Sequence, residues 1–239
     1  MKAIAVIPAR YDSSRLPGKP LLKLDGKPII QHVWQRVRDA ELFDRIIIGT
    51  DDQRIYDQVV AFGGEVALTS KKHQSGTDRV AEVCQDIDCD LVFNVQGDEP
   101  FISREPLKLL LDAFSDPGVT VSSLMHTLRK EIDNPDQVKV VCNNNNFALY
   151  FSRSRIPFLR DKKPDIQYWG HIGVYAFRRE VLLQFVNLPL GMLEQIEKLE
   201  QLRMLENGIP IKMIETQYSG FGIDTPEDLE KAEIKLRKV

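Results

Sequence analysis

An α/β fold built on a mostly parallel sheet is what this sequence predicts, and three patterns predict it. Short runs of branched apolar residues alternate with longer stretches of helical periodicity, the signature of strand–helix–strand crossovers. The first run, Ala3-Ile4-Ala5-Val6-Ile7, shows no polar alternation and so reads as a strand covered on both faces. It stops at Pro8 and releases a polar loop carrying Arg10, Arg15 and Lys19, at the strand end where open parallel sheets bind ligands.

The 239 residues, 43% hydrophobic and 28% charged, suffice for a substantial core, organised as one domain with a small subdomain. A net charge of -3 argues against general adhesion to nucleic acid or membranes, so the three cations of the first loop matter locally. Cys84, Cys89 and Cys142 are odd in number and lack Cys-x-x-Cys spacing, which fits small apolar fillers rather than a disulfide framework or a zinc site. No stretch approaches the ~18 apolar residues of a membrane span, and the amino terminus runs straight into a strand, so a cytoplasmic protein is expected.

In order, Pro28 to Ala40 is predicted as a helix with a stripe of Ile29, Ile30, Val33, Trp34 and Val37, and Arg45 to Thr50 as the second buried strand. Asp51-Asp52 offers caps for a helix over 52–61, although catalytic carboxylates are an alternative there. Gly63-Gly64 breaks that helix, and Glu65 to Leu68 is a third strand. His73 to Arg79 is a polar loop entering a helix with Thr77 as its cap, and its backbone at Ser75 and Gly76 suits the edge of a base. Asp90 to Val95 is the fourth strand; Gln96-Gly97-Asp98-Glu99-Pro100 leaves its carboxyl end, on the same edge as the Arg10 loop.

A helix over 104–114 and a strand from Val119 to Met125 follow. Gln137 to Cys142 and Phe147 to Arg153, joined by four asparagines, form a hairpin whose apolar edge suits a subunit interface. Residues 156–169 read as a loop, and His171 to Tyr175 as a strand presenting His171 and Tyr175 on one face; that pair is either a hydrogen-bonded core pair or a donor set for a hydroxylated acid. Along a helix from Leu193 to Glu206, Glu200 falls among Leu193, Ile196 and Met204, where an uncompensated carboxylate is costly. It either pairs with an arginine such as Arg203 or accepts substrate hydroxyls beside Gln201. Pro210 to Glu215 is the last strand, and Thr225-Pro226 with Asp228 caps the last helix, with Asp224 just outside it.

The loop is neither Gly-x-Gly-x-x-Gly nor Gly-x-x-x-x-Gly-Lys-Ser/Thr, which argues against a dinucleotide dehydrogenase and a P-loop kinase. Its three cations, with Ser13, Ser14 and Gly18 permitting close backbone approach, suit a polyanion such as a nucleoside triphosphate. Arg10 and Arg15 would fork onto phosphate oxygens, and Lys19 would act as a point charge. A carboxylate at Asp98 can hold Mg²⁺ against the same phosphates.

Pro-Ala-Arg-Tyr-Asp-Ser-Ser-Arg-Leu-Pro-Gly-Lys-Pro-Leu, residues 8–21, resembles the signature loop of the 3-deoxy-manno-octulosonate cytidylyltransferases, also called CMP-KDO synthetases. The likeness continues through Ser75 to Arg79, Gln96 to Pro100, Val138 to Val141, Ala148 to Arg153 and Leu193 to Arg203; it is weakest over 112–135 and 156–169. It implies a Rossmann-like three-layer nucleotidyltransferase sheet, with a nucleotide-binding part at about 1–125 and 210–239. A smaller β-rich subdomain for dimerisation and sugar binding covers about 126–209. It further implies that CTP and KDO give CMP-KDO and diphosphate, for lipopolysaccharide synthesis, in a homodimer. On this likeness Arg10, Lys19 and Asp98 are catalytic, and Pro8, Ala9, Arg10, Ser13, Arg15, Lys19, Ser75, Gly76, Arg79 and Gln96 bind the nucleotide. Gln96, Arg153, His171, Tyr175, Glu200 and Gln201 bind the sugar, while Asp98 and Asp224 hold Mg²⁺. The rival readings are activation of a related acid, an 8-amino KDO or sialic acid, and a non-catalytic nucleotide-binding module.

Overall fold

The computed structural model describes residues 1–12, 16–161 and 166–237, so Ser13 and Arg15 lie outside the described residues. The chain divides into two compact units, Met1–Leu107 with Gly220–Val239, and Lys108–Ser219.

The first unit begins with β1 (Ala3–Ala9), all seven residues of which are buried. A pair of two-residue strands, β2 (Lys23–Leu24) and β3 (Lys27–Pro28), leads into α1 (Ile29–Asp39), then β4 (Arg45–Thr50), α2 (Gln53–Ala61), β5 (Glu65–Leu68), α3 (Gly76–Cys84) and β6 (Leu91–Asn94). Their order in this unit's sheet is β6-β1-β4-β5, all parallel. The chain thus winds outward from β1 to β5 and then crosses back to β6 on the other side of β1. The reversal makes the carboxyl end of β1 the switch point at which such sheets open a crevice. Register shows how: β1 pairs with β4 as far as Ala9 but with β6 only as far as Val6. Beyond Val6 no strand pairs with β1 on its β6 side among the described residues; the loop after β6 lies against it instead, and a cleft begins.

Local chemistry agrees with most of the expected boundaries and corrects one cap. Asp52 caps α2 by accepting from the Arg54 N–H at 2.9 Å. Helix α3 is capped by Ser75, which forms a reciprocal box with Asp78, and not by Thr77, which is buried one step inside the helix and accepts from Asn94 Nδ2. The Ser-x-x-Asp spacing is the box motif, so the earlier hydroxyl wins.

The unit boundary falls within α4 (Arg104–Asp112). The second unit contains β7 (Val121–Leu128), β8 (Lys139–Cys142), β9 (Ala148–Ser152), β10 (Tyr168–Arg178), α5 (Arg179–Phe185), α6 (Met192–Glu197), α7 (Gln201–Glu206) and β11 (Lys212–Glu215). Here β7 lies between β11, parallel to it, and β10, antiparallel; β8 joins β10 to β9 as the expected hairpin. β10 is more than twice as long as the strand expected at 171–175, and its register against β7 slips between Ile172 and Tyr175.

The continuous helix expected from Leu193 to Glu206 is instead two short helices. Lys198 turns left-handed (φ 54°, ψ 45°) and breaks it. With the break, the buried acid of this segment is Glu194, not Glu200: Arg203 reaches Glu194 through Nε at 2.9 Å and Nη2 at 3.1 Å. Glu200 is more exposed and meets Arg203 Nη2 at 3.4 Å. Glu194→Ala would leave a guanidinium buried without its main counter-charge, so we expect a loss of about 3 kcal/mol, read as a lower urea midpoint. An unchanged midpoint would show that the pair contributes nothing.

The chain returns to the first unit for α8 (Pro226–Leu236), capped by the expected Thr225–Asp228 box. An apolar cluster of Leu16, Leu24, Ile29, Phe101, Ile223 and Ala232 joins the first loop, the stretch after β6 and this carboxyl-terminal segment. That cluster positions the site.

Candidate active site

Lys19 is delivered by a tight turn that requires glycine. Gly18 adopts φ +69°, its N–H bonds the Tyr11 carbonyl at 3.0 Å, and a Cβ there would lie 3.1 Å from the Tyr11 ring. Only glycine meets both demands without displacement. A single 3₁₀ turn, Lys19–Leu21, follows and points Lys19 inward.

Asp98 arrives from the loop after β6. Gly97 lets that loop lie against β1, since a Cβ there would stand 2.8 Å from the Pro8 carbonyl oxygen. Asp224 arrives from the far end of the chain and is held by two ties: the Ile223 N–H donates to the Asp98 carbonyl at 3.0 Å, and the Phe221 N–H to the Glu99 carboxylate at 2.9 Å. Thr225 and Asp228 do the capping, so the Asp224 carboxylate is not needed for it.

The three side chains meet: Lys19 Nζ lies 2.5 Å from Asp98 Oδ2 and 3.0 Å from Asp224 Oδ1. Burial works to lower the Lys19 pKa, but Asp98 and then Asp224 outweigh it, and the ammonium is held above its ordinary value. They line a cleft of about 760 Å³ with Pro8, Ala9, Arg10, Gly76, Arg79 and Gln96. Arg10 is exposed and makes no ion pair among the described residues. Gly76 lies against the Pro8 ring, and Gln96 Nε2 bonds Asn94 Oδ1.

Arg79, which lines the cleft, is also tied into the fold. It is fully buried, with Nη2 on Asp51 at 2.8 Å and Nη1 on Thr69, so its charge is already matched inside the fold and it props the cleft wall. Asp51 is thereby explained as its partner rather than as a cap.

No group of three or more His, Cys, Asp or Glu that could hold a metal occurs among the described residues. Two converging carboxylates nevertheless fit Mg²⁺, which prefers oxygen donors and takes the rest of its octahedron from substrate phosphates and water.

In the second unit, His171, Tyr175 and Phe151 form a ring cluster, His171 lying 5.4 Å from Tyr175 and 5.0 Å from Phe151 between centroids. Burial pushes the His171 pKa down to about 3, so the imidazole is neutral; burial, then the Glu200 charge, raises that of Tyr175, which stays a phenol. Gln201 is buried and its amide makes no hydrogen bond among the described residues. Arg153 behaves differently: its guanidinium is committed to the carbonyls of Glu197, Pro135 and Lys198, where it secures the break between α6 and α7. Sequence inspection passed over Ser123, a fully buried hydroxyl bonded to His171; the only hint was Ser122-Ser123 inside an apolar strand.

A parallel sheet whose switch-point cleft carries a cationic loop and paired carboxylates defines a class of nucleotide-handling α/β proteins, and residues 4–216 match the cytidylyltransferase family model. A 3-deoxy-manno-octulosonate cytidylyltransferase of Flavobacterium johnsoniae is 48% identical over 100% of both chains, and one of Thermodesulfovibrio yellowstonii is 48% identical over 98% of this chain and 97% of its own. The solved structure of CMP:2-keto-3-deoxy-manno-octonic acid synthetase complexed with CTP is 44% identical, with a TM-score of 0.95 over 100% of this chain and 99% of that one. The chain belongs to the 3-deoxy-manno-octulosonate cytidylyltransferase family. A 4-diphosphocytidyl-2C-methyl-D-erythritol synthase from Anaerococcus prevotii, 16% identical with a TM-score of 0.65, shares the fold alone.

Proposed function

We propose that this chain is an enzyme that joins CTP to 3-deoxy-manno-octulosonate, yielding CMP-KDO and diphosphate, for lipopolysaccharide synthesis. The observation that carries the reading is the meeting of Lys19, Asp98 and Asp224 at the wall of one cleft, in a chain this similar to proteins of that name. The anomeric hydroxyl oxygen attacks the α-phosphorus, the bond to the bridging oxygen of the β-phosphate breaks, and diphosphate leaves with the electron pair. Arg10 and Lys19 neutralise and orient the triphosphate, while Pro8, Ala9, Ser75, Gly76 and Gln96 shape the nucleotide's seat. Asp98 and Asp224 would hold Mg²⁺, which when bound withdraws charge from the phosphate oxygens. Arg15 and Ser13 belong to the same reading through the family loop.

For the sugar, the neutral imidazole of His171, the phenol of Tyr175, the Glu200 carboxylate and the unmatched Gln201 amide offer acceptors and donors to hydroxyl groups. Glu200→Gln is expected to raise the sugar KM about tenfold, the effect of one charge-assisted hydrogen bond, with the CTP KM nearly unchanged. A selective loss of CTP binding would remove Glu200 from the sugar side.

Two copies would pair through the second unit. Its strand β9 is paired only with β8 among the described residues, and Leu149 on it, with Met192 and Ile196 on α6, is more than half exposed. No helix among the described residues is long and apolar enough to cross a membrane. A cytoplasmic location goes with the reading, since nucleoside triphosphates are held there.

The test is diphosphate release from CTP and Mg²⁺ across a panel of 2-keto sugar acids, including KDO, 8-amino KDO and a sialic acid. Turnover highest with KDO is expected. Preference for another acid would reassign the substrate, and binding of CTP without turnover on any would leave a nucleotide-binding module.

A further inference from the structure

We infer that Ser123 is a positioning residue that fixes the tautomer of His171, keeping its Nε2 protonated and its Nδ1 open as a hydrogen-bond acceptor. The inference rests on the reading of His171 as a sugar-side group only for its consequence in catalysis; the tautomer itself follows from the hydrogen-bond inventory. Ser123 Oγ lies 3.0 Å from His171 Nε2, 3.0 Å from the Val174 carbonyl and 3.3 Å from the Ile172 carbonyl. A hydroxyl carries one proton, and carbonyl oxygens can only accept.

The two carbonyls bracket the register slip of β10 against β7, so they turn toward the neighbouring strand at one point. Were Ser123 to donate to His171 instead, its oxygen would face two carbonyl oxygens with no proton between them, in a place where the side chain is 0% exposed. Leaving buried acceptors in that state is costly. The serine proton therefore goes to the carbonyls, and His171 must donate from Nε2.

The ring is neutral, so one proton is all it has. With that proton on Nε2, Nδ1 is a bare acceptor, and no hydrogen bond to it occurs among the described residues. His171 thus recognises a hydroxyl that donates, and it discriminates against an acid whose group at that place lacks a proton to give. Ser123 contributes by holding the ring in this state without touching the sugar.

Long-range proton–nitrogen correlation spectra of the ligand-free protein, labelled at histidine, read the tautomer directly. We expect His171 Nε2 to carry the proton and Nδ1 to be unprotonated. A protonated Nδ1 or an imidazolium overturns the assignment, whatever the substrate proves to be. Ser123→Ala should then give a mixture of tautomers and a sugar KM raised about tenfold with an unchanged CTP KM, and Ser123→Thr, which keeps the hydroxyl, should restore both. An Nε2–H tautomer in the parent chain together with an unaltered sugar KM in Ser123→Ala would refute the positioning role. Failure of the parent chain to turn over any sugar acid would instead count against the proposed activity, leaving the spectra to decide the tautomer.

Discussion

Asp98→Asn is expected to leave a folded protein whose kcat/KM has fallen by about 10²–10³, the usual cost of removing one preorganised charge-stabilising group. The expectation of a preserved fold is specific. The tie from Ile223 uses the Asp98 main-chain carbonyl, Asn keeps the shape, and its amide oxygen can still accept from Lys19. On the proposed metal role, one of the two carboxylate charges offered to Mg²⁺ disappears, so the Mg²⁺ concentration giving half-maximal rate should rise sharply. Steady-state kinetics against metal concentration, with a thermal melt as control, decide it. Near-normal turnover would remove the metal role from Asp98.

Lys19→Ala should be nearly as severe: on the proposed role of Lys19 in orienting the triphosphate, kcat/KM for CTP is expected to fall about 100-fold, the cost of losing a charge-assisted contact to phosphate. The sugar KM should move far less. Two carboxylates would also be left facing each other across the cleft, so a raised Mg²⁺ concentration should recover part of the loss, where an alanine in a merely structural lysine position would recover nothing. An unchanged CTP dependence would take Lys19 out of the site. The pH dependence follows from the raised folded-state value. Lys19's share of stability is fully present below its ordinary 10.5 and is lost only as pH climbs through the higher folded value. Lys19 should therefore not appear in the activity profile at neutral pH.

Much of this was legible in the residues, and the rest failed for identifiable reasons. β1 was legible because a strand covered on both faces admits nothing polar, and the place of Asp98 because it follows such a strand, whereas Asp224 was singled out only by the family likeness. The break at Lys198 was not, since nothing about lysine announces a left-handed turn and the apolar spacing runs through it. The misplacement of the buried acid, Glu200 for Glu194, followed directly. Arg79 was assigned to the nucleotide by the family likeness, and its pairing with Asp51 was not legible, because a partner 28 residues away leaves no trace in local pattern. The caps show the opposite case. Ser75 was recoverable from its spacing to Asp78, and preferring Thr77 was an error of weighing two hydroxyls. β10 outruns the expected 171–175 at both ends, by Tyr168 to Gly170 before it and Ala176 to Arg178 after it.

The tethers between Ile223 and Asp98 and between Phe221 and Glu99 also bear on biogenesis. Asp224 is made 205 residues after Lys19, so a nascent chain can order β1 and β6 well before the second carboxylate exists to face Asp98. On the proposed role of Asp224, a frameshift between residues 216 and 224 is expected to leave the β6-β1-β4-β5 sheet in place and the cleft without its second carboxylate.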